Sequence, residues 1–69
     1  MHDARIYRIK VQGQVDERDL NAMSPLRTRV VQVEPAATLF TIHADQSGLI
    51  GLIRHLHGRG LVFLSIDRE

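Results

Sequence analysis

The sequence predicts an α+β fold, with a four-stranded antiparallel sheet, one main helix and one short helix. Three observations predict it. A segment near the N-terminus alternates apolar and polar residues with a period of two, as half-buried strands do. A later segment has apolar residues at helical spacing between a capping residue and a glycine. Between them lie two short apolar segments separated by a turn that contains proline, as in a hairpin.

The first strand is predicted from Arg5 to Gln12. Tyr7, Ile9 and Val11 alternate with polar residues, so these three side chains share the face that a core would cover. Gly13 follows directly and ends the strand, because glycine favours turns over extended backbone.

A short helix is predicted from Val15 to Met23. Asp16 is placed to cap the free amide groups of the first turn, and its charge suits the positive end of the helix dipole. Leu20 and Met23 would then face the core. Pro25 ends the helix, because proline disfavours helical backbone in the residue before it.

Two further strands are predicted, from Arg27 to Glu34 and from Thr38 to Ala44. The short gap between them is typical of a hairpin, so the two strands should be antiparallel neighbours. In the first of them, the period of two places Val31 and Val33 on one face and Val30 on the opposite face.

The main helix follows the third strand. Asp45 or Ser47 can cap its start, and Gly58 or Gly60 can supply the left-handed stop. Its apolar stripe consists of Leu49, Ile50, Leu52, Ile53 and Leu56. The run from Leu61 to Ile66 is almost continuously apolar, as expected for a central strand that is covered on both faces.

The resulting order of strand, short helix, strand, strand, helix, strand is that of the ferredoxin-like split βαβ arrangement. One small α+β domain is therefore predicted to span residues 1–69. A chain of this size buries only about 60% of its unfolded surface, so its stability alone is marginal. The chain has no cysteine, which excludes disulfides and thiolate metal sites. Self-association as a homodimer is the remaining way to gain stability.

Composition argues against two classes of partner. The net charge is +1 with both signs interspersed, which is not typical of a strongly basic nucleic-acid binder. The first two strands do carry a group of basic residues that could form a positive patch, namely Arg5, Arg8, Lys10, Arg27 and Arg29. The three aromatic residues are predicted to be in the core and not on a base-stacking surface, so nucleic acid is not expected. No segment approaches the roughly 20 apolar residues that cross a bilayer, so we expect no membrane partner and a cytoplasmic, bacterial-type protein.

The segment from Asp45 to Ile66 resembles a known unit. Its pattern is Asp45-x-x-Gly48-Leu49-Ile50-x-x-Ile53-x-x-Leu56-x-x-x-Gly60, closing on Leu64-Ser65-Ile66, and it is similar to the strand–turn–helix–strand of ACT domains. ACT domains are small ferredoxin-like regulatory modules that often bind amino acids at dimer interfaces, so the resemblance implies a regulatory role. In ACT domains this unit usually follows the first strand and has proline before the glycine, where this chain has Ser47. The whole chain also resembles a group of short uncharacterised bacterial proteins.

A ligand site is predicted at the turn into the main helix. The residues concerned are Asp45, Gln46, Ser47, Gly48 and Gly51. Free amide groups at the start of a helix can bind an anion or a carboxylate, and the two glycines leave room for it. We therefore expect a small anionic ligand or an amino acid at this turn, with no cofactor.

An interface is predicted on the sheet. If both helices cover one face, the other face is open and carries Ile6, Val30 and Leu39, with one set of side chains from the last strand. Large apolar patches on soluble proteins usually mark interaction sites. Two functions therefore stay open: a ligand-binding or regulatory module that acts as a homodimer, or a protein-interaction and assembly module with no small ligand.

No catalytic or metal site is predicted. The acidic residues are accounted for by helix capping, turns and the C-terminus, and no serine lies in the context of a catalytic nucleophile. His55 and His57 are two residues apart on the predicted helix and do not face each other, and His43 lies on a strand. We therefore expect that the protein is not an enzyme and holds no metal.

Overall fold

The computed structural model describes residues 4–69 and confirms the predicted α+β fold. Its elements are β1 (Arg5–Gln12), α1 (Glu17–Met23), β2 (Thr28–Glu34), β3 (Ala37–Ala44), α2 (Gln46–Gly58) and β4 (Phe63–Arg68). The four strands form one antiparallel sheet in the order β2-β3-β1-β4. Strand β3 thus separates β1 from β2, and β1 separates β3 from β4, which is the ferredoxin-like split βαβ order.

The core lies between the helices and one face of the sheet. The central strands supply alternate side chains, because period two directs Ile9, Val11, Phe40 and Ile42 to the same face. The helices supply Leu20, Leu52 and Leu56, which are fully buried. We call this side of the sheet the helix face and the other side the open face.

The connection between β1 and α1 is fixed by one buried threonine. The Thr38 hydroxyl group donates a hydrogen bond to the Gly13 carbonyl oxygen and accepts one from the Val15 amide, each 2.8 Å long. Thr38 is fully buried, so both bonds lie away from competing water. Gly13 itself has a φ of 84°, a left-handed conformation that glycine adopts without steric cost.

Helix α1 begins later than predicted, at Glu17. Asp16 occupies the N-cap position, but its side chain makes no capping hydrogen bond. Glu17, one of the acidic residues assigned to helix capping, makes a longer-range contact, because its carboxylate oxygen accepts a hydrogen bond from the Val30 amide at 3.0 Å. The side chain of a first-turn acid is thus used to fix the position of α1 against β2.

Strand β2 contains a bulge that breaks the predicted alternation of its faces. Its pairing with β3 shifts by one residue between Val30 and Gln32, so Val31 has no direct partner. Val30 pairs with Phe40 and packs against the core, while Val31 and Val33 are exposed. The prediction that Val30 lies on the open face is therefore wrong. A strict period of two allows only one of Val30 and Val33 on the helix face, whereas the bulge between them lets both lie there, opposite Phe40 and Thr38.

Strand β4 lies at the edge of the sheet and not at its centre. It pairs only with β1, and Val62, Leu64 and Ile66 remain exposed in spite of the apolar run. The main helix also exposes Ile50, while Leu49 and Ile53 are half-buried. Two predictions about apolar segments are therefore corrected: the strand is not covered on both faces, and the helical stripe is narrower than its sequence implies.

Candidate functional site

The turn into α2 brings the predicted ligand residues together, and the chain's own groups occupy part of the space. An Asp45 carboxylate oxygen accepts a hydrogen bond from the Gly48 amide at 2.7 Å, which caps the helix. A Cβ atom on Gly48 would lie 3.2 Å from the Ala44 Cβ and 3.7 Å from a Leu26 methyl group. The close approach at Gly48 is therefore made by this chain itself.

The outer side of the same turn is open. Gln46 and Ser47 are exposed, and their amide groups have no hydrogen-bond acceptor among residues 4–69. A Cβ atom on Gly51 would meet nothing within 4 Å. The turn thus offers two amide donors and free space, although the negative charge of Asp45 already lies at the positive end of the helix dipole.

The open face of the sheet is mostly polar, contrary to the predicted apolar patch. Pairing between strands places Arg29, Thr41, Arg8 and Asp67 side by side in one row across the sheet. Of the predicted interface residues, Ile6 and Leu39 do lie on this face, but they are separated by polar neighbours. The apolar surplus that predicted a patch lies elsewhere, mainly on the two edge strands.

A groove of about 580 Å³ lies at the start of β2. One side is formed by Glu17 and Asn21 of α1, and the other by open-face residues that include Arg29, Thr41 and His43. Arg27 immediately precedes β2 and also lines the groove. The predicted basic group is thus split, since Arg27 and Arg29 line this groove while Arg5, whose cross-strand partner is Ala44, lies on the helix face.

The first half of the β2 edge is closed by side chains of α1. An oxygen of the Asn21 side chain accepts from the Thr28 amide at 2.7 Å, and its nitrogen donates to the Thr28 carbonyl oxygen at 3.2 Å. Glu17 accepts from the Val30 amide in the same way. These bonds replace those that a neighbouring strand would make, which is one way in which proteins protect a sheet edge.

The β4 edge has no such cover in the described part of the chain. The Glu69 amide donates to the Ile6 carbonyl oxygen. In the regular part of the ladder, the backbone groups of Ser65, Asp67 and Glu69 therefore point towards β1. Because backbone groups alternate along an antiparallel ladder, those of Ile66 and Arg68 point outward. No side chain in residues 4–69 bonds to them. The exposed apolar side chains of Leu64 and Ile66 lie on this strand, and that of Val62 lies just before it.

Neither the open edge at β4 nor the covered edge at β2 was predicted from the sequence, for the same reason. Neither the edge position of β4 nor the contact of Glu17 and Asn21 with β2 can be read from local periodicity. The only available signal was the spacing of Asn21 and Thr28 around the turn at Pro25, which brings an amide side chain near the start of the next strand.

The histidines of the described segment lie apart. His43 lies on the open face, while His55 and His57 lie on α2, which packs on the helix face. Within residues 4–69 no group of three or more histidine, cysteine or acidic side chains could hold a metal ion. In the same part of the chain, neither helix is long and apolar enough to span a bilayer.

Fold and site together define a small ferredoxin-like α+β domain with one protected sheet edge, one unprotected edge and a basic groove. A family model described as "Domain of unknown function (DUF8691)" matches residues 6–67, and the chain belongs to this family. No curated protein and no solved structure gives a significant match.

Proposed function

We propose that this domain is an interaction module that forms a homodimer by pairing β4 with β4 of a second copy. The observation that supports this proposal is the contrast between the edges: the first half of β2 is closed by α1, while β4 presents unpaired backbone and exposed apolar side chains. Antiparallel pairing of two β4 strands would join the sheets into one of eight strands and remove both open edges.

A second copy fits this edge because β4 is complementary to itself. With the two-fold axis at Ile66, that side chain lies opposite its own copy, and its outward backbone groups pair with each other. Asp67 then lies opposite Ser65 of the second copy, and Arg68 lies at the end of the paired segment, next to the bulge at Leu64. No like charges face each other, and like charges directly opposite would be unfavourable.

Small size gives the pairing a thermodynamic reason. The domain has 69 residues and no cysteine, so it has neither a large core nor a disulfide. Burial of Leu64 and Ile66 at a dimer interface would add apolar area that the monomer leaves in water.

A matched pair of variants tests the proposal. Leu64 on β4 and Val31 on β2 are 52% and 51% exposed, so Leu64→Lys and Val31→Lys add the same charge to opposite edges. Sedimentation equilibrium at micromolar concentration should give a dimer for the unmodified protein and for Val31→Lys, and a monomer for Leu64→Lys. A single species near 7.8 kDa for the unmodified protein would contradict the proposal. A monomeric Val31→Lys beside a dimeric Leu64→Lys would place the interface on β2.

A ligand-binding and regulatory module remains the second candidate. It is supported by the resemblance of Asp45 to Ile66 to ACT domains, and by the open amide groups of Gln46 and Ser47 beside Gly51. The Asp45 carboxylate at the same helix start disfavours an anion there, so this candidate ranks below the interaction module.

A further inference from the structure

We propose that the groove at the start of β2 binds a small organic anion, with a phosphate or carboxylate group held by Arg27 and Arg29 and by the Thr41 hydroxyl group. This inference goes beyond the proposed dimer, because the groove is lined by residues of α1, β2, β3 and β1 and by none of β4. It also concerns a different place from the turn into α2.

The sheet brings the basic side chains together through its register. Arg29 of β2 is a cross-strand neighbour of Thr41, and both residues line the groove. Arg8, the neighbour of Thr41 on β1, does not line the groove and pairs with Asp67. His43 lies two residues along β3 on the same face and lines the groove. A planar guanidinium group can donate two parallel hydrogen bonds to a phosphate or a carboxylate, which suits this arrangement.

The arginines of the groove are not neutralised by partners in residues 4–69. Across these residues the structure has one ion pair, between Lys10 and Glu34 at 3.2 Å, and it lies further along the sheet. Glu17 also lines the groove, but one of its carboxylate oxygens is held by the Val30 amide. The groove therefore keeps an excess of positive charge at Arg27 and Arg29, which favours an anion.

The size and composition of the groove favour a small molecule over nucleic acid. Its volume of about 580 Å³ is in the range typical of small-molecule sites. Ile6 and Leu26 add an apolar wall beside the basic residues, which suits an organic body attached to the anionic group. The aromatic residues Tyr7, Phe40 and Phe63 belong to the helix face or its core, so the open face has no tyrosine or phenylalanine ring on which bases could stack.

Titration with two simple anions tests this inference. Isotope-labelled protein is titrated separately with inorganic pyrophosphate and with citrate at constant ionic strength, and amide shifts are followed by NMR. We expect saturable shifts at residues 27–29 and 41–43 with at least one probe, and the probe that binds more tightly identifies the anionic group. Arg29→Gln should weaken binding by about tenfold or more, since it removes a charged hydrogen-bond donor.

Controls separate a specific site from general attraction. Arg54→Gln removes the same charge from α2, away from the groove, and should leave the affinity unchanged. Arg27→Gln, outside the strand, serves as the test if Arg29→Gln fails to give a dispersed spectrum. Equal losses for the groove and the Arg54 variants, shifts centred on residues 46–51, or no saturation at millimolar anion would each overturn the inference. Leu64→Lys should bind as tightly as the unmodified protein, so a failed dimer proposal would not affect this result.

Discussion

The two edges of the sheet differ in whether their outward backbone groups have hydrogen-bond partners. At β2, the side chains of Glu17 and Asn21 bond to the outward backbone groups of Thr28 and Val30. At β4, the outward backbone groups of Ile66 and Arg68 have no partner in residues 4–69, and Leu64 and Ile66 are exposed apolar side chains on this strand. Side chains of α1 close the first half of the β2 edge, so less regular backbone is available for association there than at β4. The difference therefore favours a closed dimer over an open-ended polymer of sheets.

The bulges support the same contrast. Each edge strand has one, at Val31 in β2 and at Leu64 in β4, and a bulge at an edge usually limits pairing. In β2 the bulge follows directly after the residues that α1 covers, so little regular edge is left. In β4 the bulge lies near the start, and the residues from Ser65 to Arg68 pair regularly with β1. A regular segment at β4 is thus available to a second copy.

The largest expected effect is a loss of stability when the core between α2 and the sheet is disturbed, because both edges depend on this core. Leu56 of α2 is fully buried, and Leu56→Ala should lower the free energy of unfolding by about 2–5 kcal/mol, the usual loss for a buried leucine. Ile50 on the same helix is 43% exposed, so Ile50→Ala is the control. Chemical denaturation of both variants gives the comparison. Similar losses for the two would mean that α2 packs with a different face than the structure describes.

The next effect should come from opening the protected edge. Asn21→Ala removes the hydrogen bonds to the Thr28 backbone and should cost about 1–3 kcal/mol, because donors and acceptors are left without partners. Alanine has the higher helix propensity, so a loss cannot come from α1 itself. With both edges exposed, the variant should also form species larger than a dimer in sedimentation velocity. Arg18→Ala, on the same helix, should do neither. An unchanged stability and size distribution for Asn21→Ala would refute the role given to this side chain.

The smallest effect is expected at Gly51. A Cβ atom there meets nothing within 4 Å, so Gly51→Leu should leave the fold intact and stabilise α2 by up to about 1 kcal/mol, the helix-propensity difference. Dimerisation should not change, because β4 and not α2 forms the proposed interface. Thermal unfolding and sedimentation equilibrium measure the two quantities. Loss of the dimer in this variant would place the interface on α2 and contradict the proposed pairing of β4 with β4.

Sequence patterns predicted β1 and β3 well because their side chains alternate without interruption. Tyr7, Ile9 and Val11 lie on the helix face as predicted, and Leu39 lies on the open face as predicted. The pattern was misleading in β2, because the bulge at Val31 interrupts the alternation of faces. No local feature of the sequence from Val30 to Val33 indicates this bulge. The candidate site at Asp45 to Gly51 was located as one turn, but the contact of Leu26 with Gly48 was not foreseeable from spacing.

What the sequence by itself determined is the set of elements and their order. These follow from patterns that extend over only a few residues, such as alternation, helical spacing and the proline after α1. Gly60, with a φ of 94°, ends α2 in the same local way. What only the tertiary structure decided is which strand lies at an edge, which edge is covered, and which charges meet. An apolar run such as Leu61 to Ile66 has the same composition whether it lies at the centre or the edge of a sheet. Its position depends on pairing with distant residues, and that information is not local.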